Sequence, residues 1–164
     1  MSEESGNKRS GRMVLVVGVD LSDVSEHLLS NARRQLASAA QGELHVVHVV
    51  PRQSFNERIS HPLPSPGASE VSGKEAAQWE LKRLCAAITD GSDVKVEIHT
   101  PVGDAAQEVV RIAREVGANL VIVETHHDNR LFHVSVATQI VHGAPCSVLT
   151  LRSGPTERPT STSS

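Results

Sequence analysis

The sequence predicts an α/β fold: a five-stranded parallel doubly wound sheet in the order 3-2-1-4-5, with helices on both faces. Strand-like and helix-like segments alternate along the chain, which is typical of this class. The first and fourth strand-like segments, Met13–Val19 and Asn119–Val123, are apolar almost throughout, as central parallel strands are. Val94–Ile98 alternates apolar with charged residues and therefore belongs at a sheet edge. This order puts a topological switch between the first and fourth strands, where such folds bind ligands.

The first helix is predicted over Asp20–Ala40, with Asp23 and Glu26 as a capping pair at its start. Its apolar stripe consists of Leu28, Leu29, Ala32, Leu36 and Ala39. The second strand covers Glu43–Val50. Pro51–Gly73 contains three further prolines and is predicted to be a long surface loop.

Three more helices and a strand complete the alternation. The second helix ends at Gly91 and is indicated by the helical spacing of Ala77, Leu81, Leu84 and Ile88. The third covers Asp104–Val116 and ends at Gly117, and its inward residues are Ala106, Val109, Ala113 and Val116. Val134–His142 is the fourth helix, and Cys146–Leu151 is the last strand.

One domain, residues 13–152, is expected between two tails. Residues 1–12 are polar and basic, and residues 153–164 are rich in serine, threonine and proline. Neither segment can bury apolar surface, so both are predicted to be disordered.

Composition excludes several classes of protein. A net charge of -3 and an aromatic content of 2% argue against a nucleic-acid-binding face. No apolar run approaches the length of a membrane span, and the first residues lack an apolar signal core. Cys85 and Cys146 form no Cys-x-x-Cys motif and should lie on different parts of the fold, so reduced thiols are predicted. We therefore expect a cytoplasmic location, with no nucleic-acid or membrane partner.

Several motifs, in their order and spacing, resemble those of the universal stress protein family. The first strand ends in an aspartate and, two residues later, a serine, and a Pro-Val-Gly-Asp turn precedes the third helix. The similar segments are Val14–Ser22, His45–Val50, Pro101–Asp104, Leu120–His126, Ser135–Ala137 and Ala144–Arg152. The resemblance runs from Met13 to Arg152 and implies a stress-response or regulatory homodimer. Family members commonly pair through the last strand, here residues 147–151, and unknown protein partners are implied as well.

The phosphate-binding loop departs from the pattern of nucleotide-binding members. Those proteins carry Gly-x2-Gly, nine residues, then Gly-Ser or Gly-Thr, because glycine lets backbone amides approach phosphate. Here Glu124, His127 and Val134 occupy the glycine positions, and only six residues separate His127 from Val134. Ser135, the serine of the motif, is kept. We therefore predict that ATP is not bound tightly and that no cofactor is required. The alternative is an altered nucleotide site that accepts ATP, AMP or adenosine.

The resemblance implies that any remaining nucleotide site lies at Val19, Asp20, Val49, Gly103, Ser135 and Val136. Asp20 matches the residue that contacts adenine in nucleotide-binding relatives, but an aspartate there also suits the turn between strand and helix. Gly103 suits a tight turn as well as a position beside a nucleotide.

The histidine-rich segment offers metal-binding and catalytic alternatives. Its candidate side chains are Thr125, His126, His127, Asp128, His133 and His142. Their spacing matches no common metal motif, so a solvated loop without a metal is favoured. A hydrolase would need a nucleophile such as Ser135 activated by His133, which only their proximity suggests. No catalytic residue is therefore predicted, and the chain is not expected to be an enzyme.

Overall fold

A five-stranded parallel sheet organises the chain. The computed structural model describes residues 12–37, 39–52, 58–60, 70–89, 94–125 and 135–152. Its strands are β1 (Arg12–Gly18), β2 (Gln41–Val47), β3 (Arg58–Ser60), β4 (Glu70–Ser72), β5 (Lys95–His99), β6 (Leu120–Thr125) and β7 (Ser147–Arg152). The large sheet has the order β5-β2-β1-β6-β7, and all four of its pairings are parallel. Counting only these strands, this is the predicted order 3-2-1-4-5, which is confirmed.

Helices cover both faces of the sheet, as predicted. They are α1 (Ser25–Leu36), α2 (Gly73–Thr89), α3 (Ala105–Glu115) and α4 (Val136–Gly143). Side chains alternate between faces along a strand, so Leu15 and Val17 pack with α1 and α2. Val16 packs with α3 and α4 on the opposite face. The central strands β1 and β6 are therefore buried on both sides, as their continuous apolar sequences require.

The predicted start of the first helix and its capping pair are wrong. The helix begins at Ser25, and its N-cap, Val24, makes no side-chain capping bond. The preceding residues form a turn in which Asp20 Oδ1 accepts the Ser22 N–H at 2.9 Å. Leu21 in this turn has a φ of 63°, which a helix cannot contain. Asp23 and Glu26 therefore do not cap α1.

The third and fourth helices lie close to their predicted positions. Asp104 caps α3 by accepting the Gln107 N–H at 2.9 Å, and Gly117 ends it with a φ of 64°. The fourth helix begins at Val136, two residues later than predicted, because Ser135 is its N-cap.

The predicted loop Pro51–Gly73 holds a short antiparallel ribbon formed by β3 and β4, and α2 already begins at Gly73. β2 ends at Val47, before its predicted limit of Val50. Beyond the strand, Val50 still forms an isolated parallel bridge with Val102, which follows β5 in the chain.

Some predictions fall outside the described residues: the helix stop at Gly91, residues 1–11 of the first tail, and the whole second tail. Arg12, assigned to the first tail, is the first residue of β1. Within the described ranges, no helix combines the length and apolar character needed to cross a bilayer.

Candidate functional site

A cleft of about 350 Å³ opens at the carboxyl ends of β1, β2 and β6. It lies between the starts of α3 and α4, at the topological switch between β1 and β6. Its lining is mainly apolar: Gly18, Val19, Asp20, Leu28, Val47, His48, Val49, Pro51, Ala105, Val109, Val123, Glu124, Val136, Ala137 and Ile140. A larger cavity of about 590 Å³ lies at the amino ends of the strands, away from the position where such sheets bind ligands.

The floor of the cleft is closely packed. A Cβ atom added to Gly18 would lie 3.1 Å from Val123 Cγ1 and 3.5 Å from Val109 Cγ2. Gly18 therefore allows α3 and β6 to close against the end of β1. The result is an apolar floor.

The end of β1 brings Val19 and Asp20 to the cleft. Val19 is buried, and its N–H donates to Val47 O at 2.9 Å. His48 Nδ1 lies 3.0 Å from Val19 O, which fixes the imidazole beside β1. Asp20 is exposed, and its carboxylate already accepts the Ser22 N–H. This hydrogen bond supports the turn-forming role that the sequence offered as an alternative to an adenine contact.

The residues that follow β2 form hydrogen bonds to the turn that precedes α3. The Val50 N–H donates to Pro101 O at 2.9 Å, and the Gly103 N–H donates to Val50 O at 3.1 Å. A Cβ on Gly103 would meet Glu108 Cγ at 3.3 Å. Val49 lines the cleft, whereas Gly103 is absent from its lining and positions the neighbouring helix start.

The hydroxyl of Ser135 is committed to the start of α4. Its oxygen accepts the Thr138 N–H at 3.1 Å and lies 2.8 Å from Thr138 Oγ1. Ser135 is not among the lining residues, but the adjacent Val136 is, with 47% of its surface exposed.

Two carboxylates border the cleft. Glu124 is half-buried near the end of β6, and Asp20 is exposed at the end of β1. The described lining contains no lysine or arginine. Negative charge at this position opposes the binding of phosphate groups.

Four of the six predicted site residues line the cleft: Val19, Asp20, Val49 and Val136. Gly103 and Ser135 shape its borders instead. His48 was not predicted, although it stands inside the motif His45–Val50, because sequence alone does not show that it turns towards Val19. Residues 126–134 lie outside the described part of the chain, so the hypotheses on His126, His127, Asp128 and His133 remain predictions.

Neither cysteine belongs to the cleft, and both thiols are free, as predicted. Away from the cleft, one group of possible metal ligands is found among the described residues: His45, Glu97 and His99, on β2 and β5.

The sequence profile of the universal stress protein family matches residues 12–152. The chain belongs to the universal stress protein family. The matched range contains both the sheet and the cleft, which confirms the resemblance found in the sequence motifs. No curated protein sequence matches the chain significantly.

Solved structures of universal stress proteins share this fold. One, described as a complex with cAMP, is 19% identical, with a TM-score of 0.64 over 85% of this chain and 96% of that one. A protein from Archaeoglobus fulgidus, in complex with dAMP, is 22% identical, with a TM-score of 0.60 over 84% and 96% of the two chains. A family member from Burkholderia pseudomallei is 23% identical, with a TM-score of 0.54 over 84% and 94%.

Proposed function

We propose that this universal stress protein is a regulatory homodimer that does not bind ATP tightly and is not an enzyme. The observation that carries the proposal is the position of Glu124. Glu124 lines the cleft at the place where nucleotide-binding members have the first glycine of the phosphate loop.

Charge at this position disfavours a triphosphate. Two unit charges of the same sign about 4 Å apart repel by about 4 kcal/mol at an effective dielectric of 20. Both carboxylate oxygens of Glu124 are buried, so solvent screens this repulsion only weakly. Asp20 adds a second negative charge, and the described lining contains no lysine or arginine.

The sequence of the loop supports the same conclusion. His127 and Val134 replace the other two glycines, and a β-branched residue is poorly suited to positive φ. Three fewer residues also reduce the reach of the loop around a triphosphate. Ser135, the one residue of the motif that this chain keeps, already uses its hydroxyl to cap α4.

The described lining also lacks a hydroxyl, thiol or amine side chain. Apart from the two carboxylates, it therefore offers no nucleophile beside His48, which favours binding over catalysis.

A second candidate function is the binding of AMP or adenosine. The cleft volume of about 350 Å³ lies at the lower end of the range of small-molecule sites, about 300–1,000 Å³. The apolar floor accepts an adenine ring without needing a phosphate cradle. The relatives described as complexes with cAMP and dAMP make an adenine nucleotide the natural ligand to test.

Titration calorimetry with Mg²⁺-ATP, AMP and adenosine tests both candidates. We expect no tight binding of ATP to the wild-type chain, and weaker binding of ATP than of adenosine. Glu124→Gln removes the charge at nearly constant size and should strengthen ATP binding by about tenfold. Glu26→Gln, on the exposed surface of α1, is the matched control and should change nothing.

A wild-type dissociation constant for ATP below about 10 μM would contradict the proposal. In that case Asp20→Ala should weaken ATP binding, since Asp20 matches the residue that contacts adenine in nucleotide-binding relatives. The expected cytoplasmic location and protein partners belong to the same proposal, and localisation of a tagged chain in intact cells tests the former.

A further inference from the structure

A group of polar side chains lies on the sheet face shared with α3, and none of them lines the cleft described above. His45 on β2 and Glu97 on β5 are register partners, and His99 stands two residues beyond Glu97. Residues two apart on a strand point to the same face. The three side chains therefore converge although they come from distant parts of the sequence.

The convergence is close. His45 Nδ1 lies 2.9 Å from His99 Nε2 and 3.2 Å from Glu97 Oε2. One ligand atom of each residue lies within 4.8 Å of those of the other two. Two imidazoles and a carboxylate form a donor set that zinc and related ions prefer.

The separations match the size of a metal site. Zinc–nitrogen bonds of about 2.0–2.1 Å place two ligands of a tetrahedral ion about 3.3 Å apart. The observed contacts of His45 are near that value, so an ion can replace the contact between the two imidazoles after small side-chain rotations. The strands do not have to move, because pairing between β2 and β5 already sets the spacing.

A second carboxylate supports His45 from behind. Glu43 is buried, with 4% of its surface exposed, and its Oε1 lies 3.2 Å from His45 Nε2. Arg12 and Lys95 contact the Glu43 carboxylate and hold it in place. His45 itself is 2% exposed, and its Nε2 has no hydrogen bond of good geometry. A carboxylate behind a metal-binding imidazole orients the ring and directs the free lone pair of the other nitrogen towards the ion.

We propose that His45, Glu97 and His99 bind a divalent transition-metal ion, zinc in the first instance, that bridges β2 to the edge strand β5. Glu97 is 48% exposed, so an ion can enter from solvent, and water can complete a tetrahedral coordination. None of the three residues lines the cleft, although His99 pairs with Val47, which does. An ion bound there would fix the sheet edge.

Burial favours the neutral form of both imidazoles. Burial lowers the pKa of both His45 and His99. Glu97 opposes this shift at both histidines, whereas Lys95 and Arg12 reinforce it at His45. The neutral form is the one that binds metals.

Lys95 works against the ion, because its Nζ lies 3.8 Å from Glu97 Oε1. Arg12 and Arg111 also place positive charge near His45 and His99. Removing the charge of Lys95 should therefore strengthen the binding of a cation, since Arg12 still contacts the Glu43 carboxylate.

Zinc titration of the untagged full-length chain, followed by calorimetry, is the main experiment. We expect one ion per chain with a dissociation constant at or below about 10 μM. Co²⁺ should give a visible absorption spectrum of a four-coordinate ion. His99→Gln and Glu97→Gln should each weaken zinc binding by at least about tenfold, and Lys95→Gln should strengthen it.

The controls separate this site from other histidines. His27→Gln, on the exposed face of α1, and the double variant His126→Ala/His127→Ala should leave zinc binding unchanged. Circular dichroism establishes that each variant is folded. Absence of zinc binding by the wild-type chain, or unchanged affinity in His99→Gln, would overturn the proposal. Loss of binding in the double variant alone would assign the ion to the histidine-rich segment instead.

Discussion

Asp20 and Ser135 match polar positions of the family site, and both serve the fold. Asp20 accepts the Ser22 N–H in the turn after β1, and Ser135 accepts the Thr138 N–H at the start of α4. These hydrogen bonds alone are a sufficient structural role for either residue, because a backbone N–H left without a partner lowers the stability of the fold. Their presence in the sequence therefore does not require a bound nucleotide.

The buried cluster around His45 shows the limit of prediction at this scale. The sequence shows that Val94–Ile98 is amphipathic, which correctly indicates an edge strand. It does not give the register of β5 against β2, and His45 and His99 are 54 positions apart in the chain. Their contact depends on that register, because a shift of one residue would send every side chain of the strand to the other face.

The thiol of Cys85 is predicted to be almost inert. Burial raises its pKa to about 11, so about one thiol in a thousand is ionised at pH 8. Cys146 is only half-buried and should react with iodoacetamide first, as mass spectrometry of timed samples can measure. In guanidinium chloride both thiols should react at similar rates. Equal rates in the folded protein would show that α2 opens readily.

Element positions were predictable wherever apolar periodicity decides them. The sheet strands and the four helices are all indicated by the sequence. The helices and β5 show periods of 3.6 and 2 residues, and the central strands β1 and β6 are continuous apolar runs. The helical pattern predicts a start of α1 at Asp20, but Asp20 and Leu21 form a turn and the helix begins at Ser25. The apolar pattern does not reveal this turn. The ribbon of β3 and β4 was missed because its three-residue strands are too short to show a period.

Gly117 gives a test of helix termination at the scale of one element. Its φ is 64°, and no atom lies within 4 Å of the place where a Cβ would be. Gly117→Ala should therefore lower the free energy of unfolding through backbone strain alone, by about 1 kcal/mol. Gly117→Asn should lose less, since asparagine tolerates this conformation better. Urea unfolding monitored by circular dichroism measures both. An alanine variant as stable as the wild type would mean that α3 ends differently in solution.

The two edges of the sheet differ in chemistry. β5 exposes the charged side chains of Lys95 and Glu97, which discourage pairing with another strand. β7 carries three half-exposed apolar residues, Val148, Leu149 and Leu151. Val141 on the adjoining helix α4 is 50% exposed. Association of whole molecules is therefore expected at the β7 edge and not at the β5 edge.

The final prediction is a two-fold dimer formed through β7. An edge strand with an apolar surface is completed most simply by the same strand of a second copy, because a two-fold axis makes one patch complementary to itself. Leu149→Lys places a charge in that contact and should give a monomer, as sedimentation or light scattering at micromolar concentration can measure. Gln107→Lys, on the exposed face of α3, makes the same kind of change outside the proposed interface and should leave the dimer intact. Circular dichroism must show that Leu149→Lys is folded, since this residue also packs against the core. If it is not, Val141→Lys on α4 is the substitute, with weaker association expected. A monomeric wild type, or a folded Leu149→Lys variant that still forms the same dimer, would rule out pairing through this strand.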